Sequence, residues 1–444
     1  MASTETRGRP TWFDSDRRLA RLLARPVQRF LDTEAAGGIL LLTATVVALV
    51  WANSPWKAGY EALFATSIGL SIGDFELRED LTHWINDALM ALFFFVVGLE
   101  IKREWVAGEL RDRRAAALPV VAAVGGMVVP ALLYLAVNAG GKGAGGWGIP
   151  MATDIAFALG VVAVLGRRVP ASLKLFLLTL AIVDDIGAIV VIAVVYSGAI
   201  ALSWLAGAVA VVAAVVVLRR AHVTSHVVYI GLGVGLWLCV FESGVHATIA
   251  GVVMGLLTPA RPFQADLEAE EIVDTLEDRS DLSADDVRRV SFLIRASVPL
   301  TERLEVALHP WTSYLVIPLF ALANAGVRLE ADSLTSPGPV ALGVVIGLVV
   351  GKTVGVAGAA WLATRLGVAN LPSGTTWVQV VGVAALAGIG FTVSLFVAGL
   401  AFDAGDVRDE AKVGILVASV IAAAIGSAIL VLASKRAQAS APSS

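Results

Sequence analysis

Residues 172 to 196 form a run long enough to cross a bilayer as one helix, and Asp184 and Asp185 stand side by side at its centre. About twelve residues separate the pair from either end. With a rise of about 1.5 Å per residue, both carboxylates lie roughly 18 Å from each end, near the bilayer midplane. The hydrocarbon offers no water to the backbone, so such a run has to be helical. A charge at that depth is tolerated where it faces a bundle interior or a water-filled cavity and handles ions or protons. The pair therefore marks a transport site.

The rest of the chain has the same character. Its 444 residues are 57% hydrophobic and 16% charged, with a mean hydropathy of +0.80. These values describe an all-α integral membrane protein, not a soluble domain. The single Cys239 excludes a disulfide framework and a cysteine-rich metal site, and beside Trp237 and Val240 it reads as packing. A net charge of -4 argues against a nucleic-acid partner, and no motif asks for a cofactor. Residues 1 to 33 are polar and arginine-rich, with no cleavable signal peptide. They read as a cytoplasmic tail whose amphipathic stretch (Phe13, Leu19, Leu22, Leu23, Val27, Phe30, Leu31) lies on the membrane.

Gly, Pro and charge clusters divide residues 34 to 434 into about twelve transmembrane helices, at 34–52, 82–106, 115–137, 148–166, 172–197, 202–219, 224–240, 244–258, 303–325, 340–364, 376–400 and 409–434, before a C-terminal tail at 435–444. With the N-terminus inside, the inner loops collect the arginines of the first thirty residues, Lys102, Arg103, Arg111, Arg113, Arg114, Arg167, Arg168, Lys174, Arg219, Arg220, Arg365, Lys435 and Arg436. Only Lys57, Arg78, Lys142, Arg328, Arg408 and Lys412 fall outside, which supports the count and puts both termini in the cytoplasm. Two polar pieces interrupt the bundle. Residues 66 to 78 alternate around Gly73-Asp74 and predict an outer-face β-hairpin, whose open edge invites a second copy. Residues 261 to 302 form an acidic cytoplasmic insertion, expected to hold two short amphipathic helices.

Three other spans carry unusual chemistry. The fourth runs Gly148-Ile149-Pro150-Met151-Ala152-Thr153-Asp154-Ile155, putting a hydroxyl and a carboxylate where an unbroken helix would hold aliphatics. The eleventh contains Ala387-Gly388-Ile389-Gly390-Phe391-Thr392. Both predict unwound helices that expose backbone groups at depth, though glycines in spanning helices also serve close packing. The tenth holds Lys352 with about a dozen mostly apolar residues on each side. Its stem reaches about 6 Å, too short to snorkel, so it needs a carboxylate partner or must lose its proton. Neighbours on a helix point about 100° apart, so Asp184 and Asp185 have different tasks. A sodium ion stripped of water needs several oxygens, which two carboxylates, a threonine hydroxyl and freed carbonyls supply. A carboxylate held out of water can carry a proton or a metal cation, and exclusive occupancy with alternating access is exchange transport.

Met151-Ala152-Thr153-Asp154-Ile155-Ala156-Phe157 and Asp184-Asp185-Ile186-Gly187-Ala188 closely resemble the NhaA family of bacterial sodium/proton antiporters. So do Phe93-Phe94-Phe95, Gly98-Leu99-Glu100-Ile101-Lys102-Arg103-Glu104, Glu242-Ser243-Gly244-Val245-His246-Ala247-Thr248, Leu308-His309-Pro310-Trp311 and Gly388-Ile389-Gly390-Phe391-Thr392. The resemblance implies inverted-topology repeats with two broken crossing helices, 4 and 11, NhaA being itself a general example of that architecture. It implies electrogenic, pH-regulated export of Na+ and Li+ for H+ across the bacterial cytoplasmic membrane, and a homodimer joined through the hairpin. Asp185 becomes the main sodium ligand and Asp184 the partner of Lys352. Asp154 offsets two helix N-termini and Lys352 two C-termini, with Thr153 at the crossing. A pH-sensing cluster would comprise Glu100, Arg103, Glu104, Glu305 and His309. His246 joins that set, although in a small-residue helix it reads more readily as packed and hydrogen-bonded. The long acidic insertion, and Val306 where a well-studied member has histidine, depart from the family pattern.

Enzyme readings fail on motif. An intramembrane aspartyl protease needs Gly-x-Gly-Asp, which is absent, and an Asp-Asp-x-x-Asp prenyltransferase site ends here on Ala188. A sodium-selective channel or uncoupled cation transporter remains the alternative, since it uses the same ligands.

Overall fold

The structure is a computed structural model that describes residues 36–73, 75–221, 223, 225–261, 288, 297–329 and 336–439. The amphipathic stretch expected before residue 34 and the helices expected in the acidic insertion lie outside the described residues. Helix α1 (Ala36–Ala52) turns by 116° into the short α2 (Lys57–Phe64). Strands β1 (Ser67–Ile72) and β2 (Phe75–Asp80) follow and pair antiparallel, with Leu70 opposite Leu77 and Ile72 opposite Phe75. A two-residue connection needs positive φ, which Gly73 supplies at +61°. The hairpin is therefore present, two residues longer at its C-terminal end than the alternation predicts.

The remaining helices are α3 (Leu81–Val106), α4 (Arg113–Asn138), a 3-10 strut (Ala144–Met151), α5 (Ile155–Leu165), α6 (Ala171–Val195), α7 (Leu202–Arg220), α8 (His226–Glu242) and α9 (Thr248–Leu257). After the insertion come α10 (Leu300–Asn324), α11 (Pro339–Arg365), α12 (Trp377–Leu386), α13 (Phe391–Ala401) and α14 (Asp406–Ala439). Among the described residues, eight helical stretches are long and apolar enough to cross a membrane, or up to ten when each of two bent pairs is one span. The chain is a multi-pass membrane protein. A count of twelve further requires the two shorter apolar helices, Val227–Glu242 and Thr248–Leu257, to cross.

One boundary is corrected. The eighth span, expected from residue 244, begins at Thr248, so Ser243 to Ala247 form a loop and His246 stands outside a helix. Gly244 takes φ +81° there, which a helix cannot accommodate.

Small residues let the backbones meet. A Cβ on Gly98 of α3 would stand 2.7 Å from the Val252 carbonyl oxygen of α9, and one on Gly255 2.6 Å from the Phe95 carbonyl oxygen. Glycine thus sets the separation of these two helices. The inner faces bury Phe94, Tyr134, Ile149, Leu180, Phe320, Leu348 and Phe396 in one continuous core. Three wide π turns interrupt long helices at Ile85–Leu89, Thr312–Val316 and Ile346–Gly351. Such turns shift the face a helix presents and gather at functional sites. Near two of them, Asn324 Nδ2 donates to Asn86 Oδ1 at 2.8 Å and Asn86 Nδ2 to Asn324 Oδ1 at 3.4 Å, joining α3 to α10.

Candidate functional site

The strut ends at Met151, and Ala152 and Asp154 are extended before α5 begins at Ile155. Residues 387 to 390 likewise separate α12 from α13, with a bend of 46°. Asp154 N donates to the Ile389 carbonyl at 2.6 Å, so the two interruptions meet back to back. Each leaves helix ends whose polar groups need partners. Asp154 serves two. Its Oδ1 accepts from Phe157 N at 2.9 Å and caps α5, while its Oδ2 accepts from Thr392 N at 2.9 Å and Thr392 Oγ1 at 2.7 Å, at the start of α13. A carboxylate between two helix N-termini opposes both positive ends.

Thr153 bridges to the paired aspartates. Its Oγ1 lies 2.8 Å from Asp184 Oδ2 and 2.8 Å from the Ala387 carbonyl oxygen at the end of α12. One hydroxyl proton serves one acceptor at a time, which leaves a lone pair to face a cation. Lys352 follows directly on the π turn Ile346–Gly351, and its Nζ donates to Asp184 Oδ2 at 2.5 Å. Both side chains of that pair are fully buried. No described hydrogen bond runs from Lys352 to a helix carboxy-terminal carbonyl.

Asp185 is 4% exposed. Among the described residues, Asp184 Oδ1 and Asp185 Oδ1 are buried without a hydrogen-bond partner. Unpartnered buried carboxylate oxygens carry a steep desolvation cost, which a bound cation or proton removes. No three His, Cys, Asp or Glu side chains among the described residues converge as a metal cluster. The donors available to a monovalent cation are mixed: carboxylate oxygens, the Thr153 hydroxyl and backbone carbonyls freed by the breaks.

The other expected residues fall into two places. Near the end of α3, Arg103 Nη1 donates to Glu305 Oε1 of α10 at 2.5 Å, and Arg103 Nη2 lies 3.5 Å from Glu104 Oε1. Glu104 Oε2 accepts from Glu109 N at 3.0 Å. Glu100 lies within electrostatic reach of Arg103, Glu104 and Glu305, and also of Asp185. His309 is exposed and meets Ser313 Oγ at 3.4 Å, apart from the ion pair. His246 is elsewhere: its Nε2 lies 2.6 Å from the Tyr196 carbonyl oxygen, and burial holds its imidazole below the ordinary histidine range.

A sequence model of the family described as Na+/H+ antiporter 1 matches residues 28–430. The chain belongs to this family. Relatives within it include a protein of Sorangium cellulosum named Na+/H+ antiporter NhaA 2, 48% identical over 97% of this chain and 94% of its own length. The Na+/H+ antiporter NhaA of Rhodopirellula baltica is 50% identical over 91% of this chain and 93% of its own length. The Na+/H+ antiporter NhaA 3 of Frankia alni is 45% identical over 92% and 89%. These are transporters rather than enzymes, in keeping with a membrane chain whose buried charges sit at a helix crossing.

Sequence reasoning singled out Asp154, Asp184, Asp185 and Lys352, the charged residues gathered at this crossing, but gave Thr392 no role. Its signal was present: a hydroxyl directly after the Gly388-Ile389-Gly390 break, at the first turn of a new helix. Tyr196, which reaches the strut, carried no signal in a segment end that reads as an ordinary aromatic.

Proposed function

We propose that this chain is a secondary active antiporter that exports Na+, and Li+, across the bacterial cytoplasmic membrane in exchange for H+. One observation supports it above all: a fully buried Lys352-Asp184 pair contacted by Thr153, beside carboxylate oxygens of Asp184 and Asp185 that have no other partner among the described residues. Asp185 is the main ligand of the sodium ion, with Asp184 and Thr153 completing its donors. Arrival of the ion displaces a proton from Asp185 and competes with Lys352 for Asp184, so ion and proton occupy the site in turn. A passive channel has no need of a titratable cation on its ligand, and the lysine therefore favours coupled exchange. The release of a second proton by Lys352 makes the cycle electrogenic.

In this reading twelve crossings form inverted repeats around broken helices 4 and 11, with both termini in the cytoplasm. The domain runs from 34 to 434, flanked by tails 1–33 and 435–444, and pairs as a homodimer through the hairpin. Glu100, Arg103, Glu104 and Glu305, with His309 at their margin, tune activity to pH, and Glu100 relays their charge to Asp185.

The test is dequenching of a pH-sensitive dye in energised everted vesicles on adding Na+, Li+ or K+ at several pH values. Wild-type vesicles are expected to release protons with Na+ and Li+, in a pH-dependent manner. Asp185→Asn keeps the volume but removes charge and titratable proton, and should abolish the signal while leaving a folded protein. Normal exchange by that variant at normal apparent affinity would remove Asp185 from the site.

A further inference from the structure

Tyr196 closes a circuit of contacts around the site. It follows α6 directly, eleven residues beyond Asp185. Its hydroxyl accepts from Gly148 N at 3.1 Å and donates to the Gly145 carbonyl at 2.9 Å, so one side chain holds two successive points of the 3-10 strut. The ring lies flat enough against the strut that a Cβ on Gly148 would stand 2.7 Å from its hydroxyl oxygen and 3.0 Å from a ring carbon. Its own carbonyl is 2.6 Å from His246 Nε2, which anchors Tyr196 from the α8–α9 loop.

The strut leads within two residues to Thr153, which bonds Asp184 on the same helix that ends at Tyr196. The path from Asp184 along α6 to Tyr196, across to Gly148, down the strut to Thr153 and back to Asp184 is closed. A closed path fixes distances that an open one leaves free. Ser394 Oγ donates to the Ile149 carbonyl at 2.7 Å and Tyr134 hydroxyl to the Gly143 carbonyl at 2.7 Å, so the strut is also held from α13 and α4. Tyr196 alone among these ties it to the helix that carries the aspartates.

We propose that Tyr196 is a positioning and specificity-determining residue: it fixes the spacing between Thr153 and the Asp184-Asp185 pair, and through it the size of cation the site accepts. The inference rests on the reading of those residues as cation donors. Small ions are the most sensitive to such spacing, because their donors must approach closest. Loosening the strut therefore weakens Li+ more than Na+.

The experiment compares wild type, Tyr196→Phe and Gly148→Ala as full-length protein in detergent, by calorimetric titration with LiCl and NaCl. Hydrogen exchange of the peptide covering 143–152 is followed in parallel. Phenylalanine keeps the ring and removes both bonds, each corresponding to about a two- to tenfold equilibrium shift. Alanine at 148 pushes the ring away from the other side. The expected result is faster exchange in that peptide, a Kd for Na+ raised roughly three- to tenfold, and a larger rise for Li+. Unchanged exchange, unchanged Kd values, or equal rises for both ions would overturn the proposal, since a general loss of fold does not distinguish ion size. Binding is read without transport, so wild type that binds Na+ but exchanges nothing in vesicles would sink the antiporter reading alone. Wild type that binds neither ion would overturn both.

Discussion

Single residues decide the electrical character of the site, and Lys352 decides most. Removing one partner of a buried ion pair strands the other, at a cost of about 3–5 kcal/mol. Lys352→Ala should accordingly lower the melting temperature in detergent. Lys352→Arg is the sharper probe, because guanidinium keeps the pairing charge but releases no proton near neutral pH. The expectation is exchange without net current on a solid-supported membrane. A robust current with wild-type charge per sodium would make Lys352 a structural counter-ion. The residues themselves were legible because a charge in an apolar run is an anomaly that composition alone exposes. Asp154 was legible as a charge, and its two-helix capping role followed only from the resemblance. Thr392 was not, since a threonine in a spanning helix satisfies itself on its own backbone and raises no alarm.

At the scale of elements, interruptions of helices could be read and displacements within them could not. Proline, paired glycines and polar side chains at depth announced the breaks at 152–154 and 387–390. The π turns at Ile85–Leu89, Thr312–Val316 and Ile346–Gly351 insert one residue without changing composition, so no pattern betrays them. The loop before α9 was mistaken for helix for a related reason: its residues are as apolar and small as those that follow. The loop places His246 against Tyr196, and its titration is testable. Burial lowers the folded imidazole below the ordinary value of 6.5, so the unfolded chain binds more protons in the window beneath that value. Stability should then be constant above about pH 6.5 and fall as the pH drops through the window. His246→Gln keeps an amide donor for the carbonyl and should show a smaller loss in melting temperature between pH 7 and 5. Parallel curves for wild type and variant would assign the acid sensitivity to another group.

For the whole molecule, the sequence revealed a membrane bundle with a β-hairpin, and lipid-facing periodicity carried no information about which helices touch. Helix contacts within a bilayer depend on where small residues coincide, as Gly98 and Gly255 do, and coincidence between distant segments is invisible along one chain. The hairpin belongs to this scale because both its strands have open edges. Deleting residues 66–80 and closing the gap with a short flexible linker is expected to give monomers that still exchange Na+ for H+, since all described site residues lie within one chain. Light scattering in detergent at low protein concentration reads the state, and a variant that stays dimeric would place the contact elsewhere.

The two ends of the α3–α10 contact are fastened by different chemistry: a neutral amide pair, Asn86 with Asn324, at one end and the Arg103-Glu305 ion pair at the other. Asn324 lies nineteen positions beyond Glu305 on α10, about 28 Å of helix. Acid or salt weakens the charged fastening and leaves the neutral one intact. The contact is thus a lever with its pin at the asparagines. A pivot of about 5° there would carry Glu305 about 2.4 Å, enough to part its bond to Arg103.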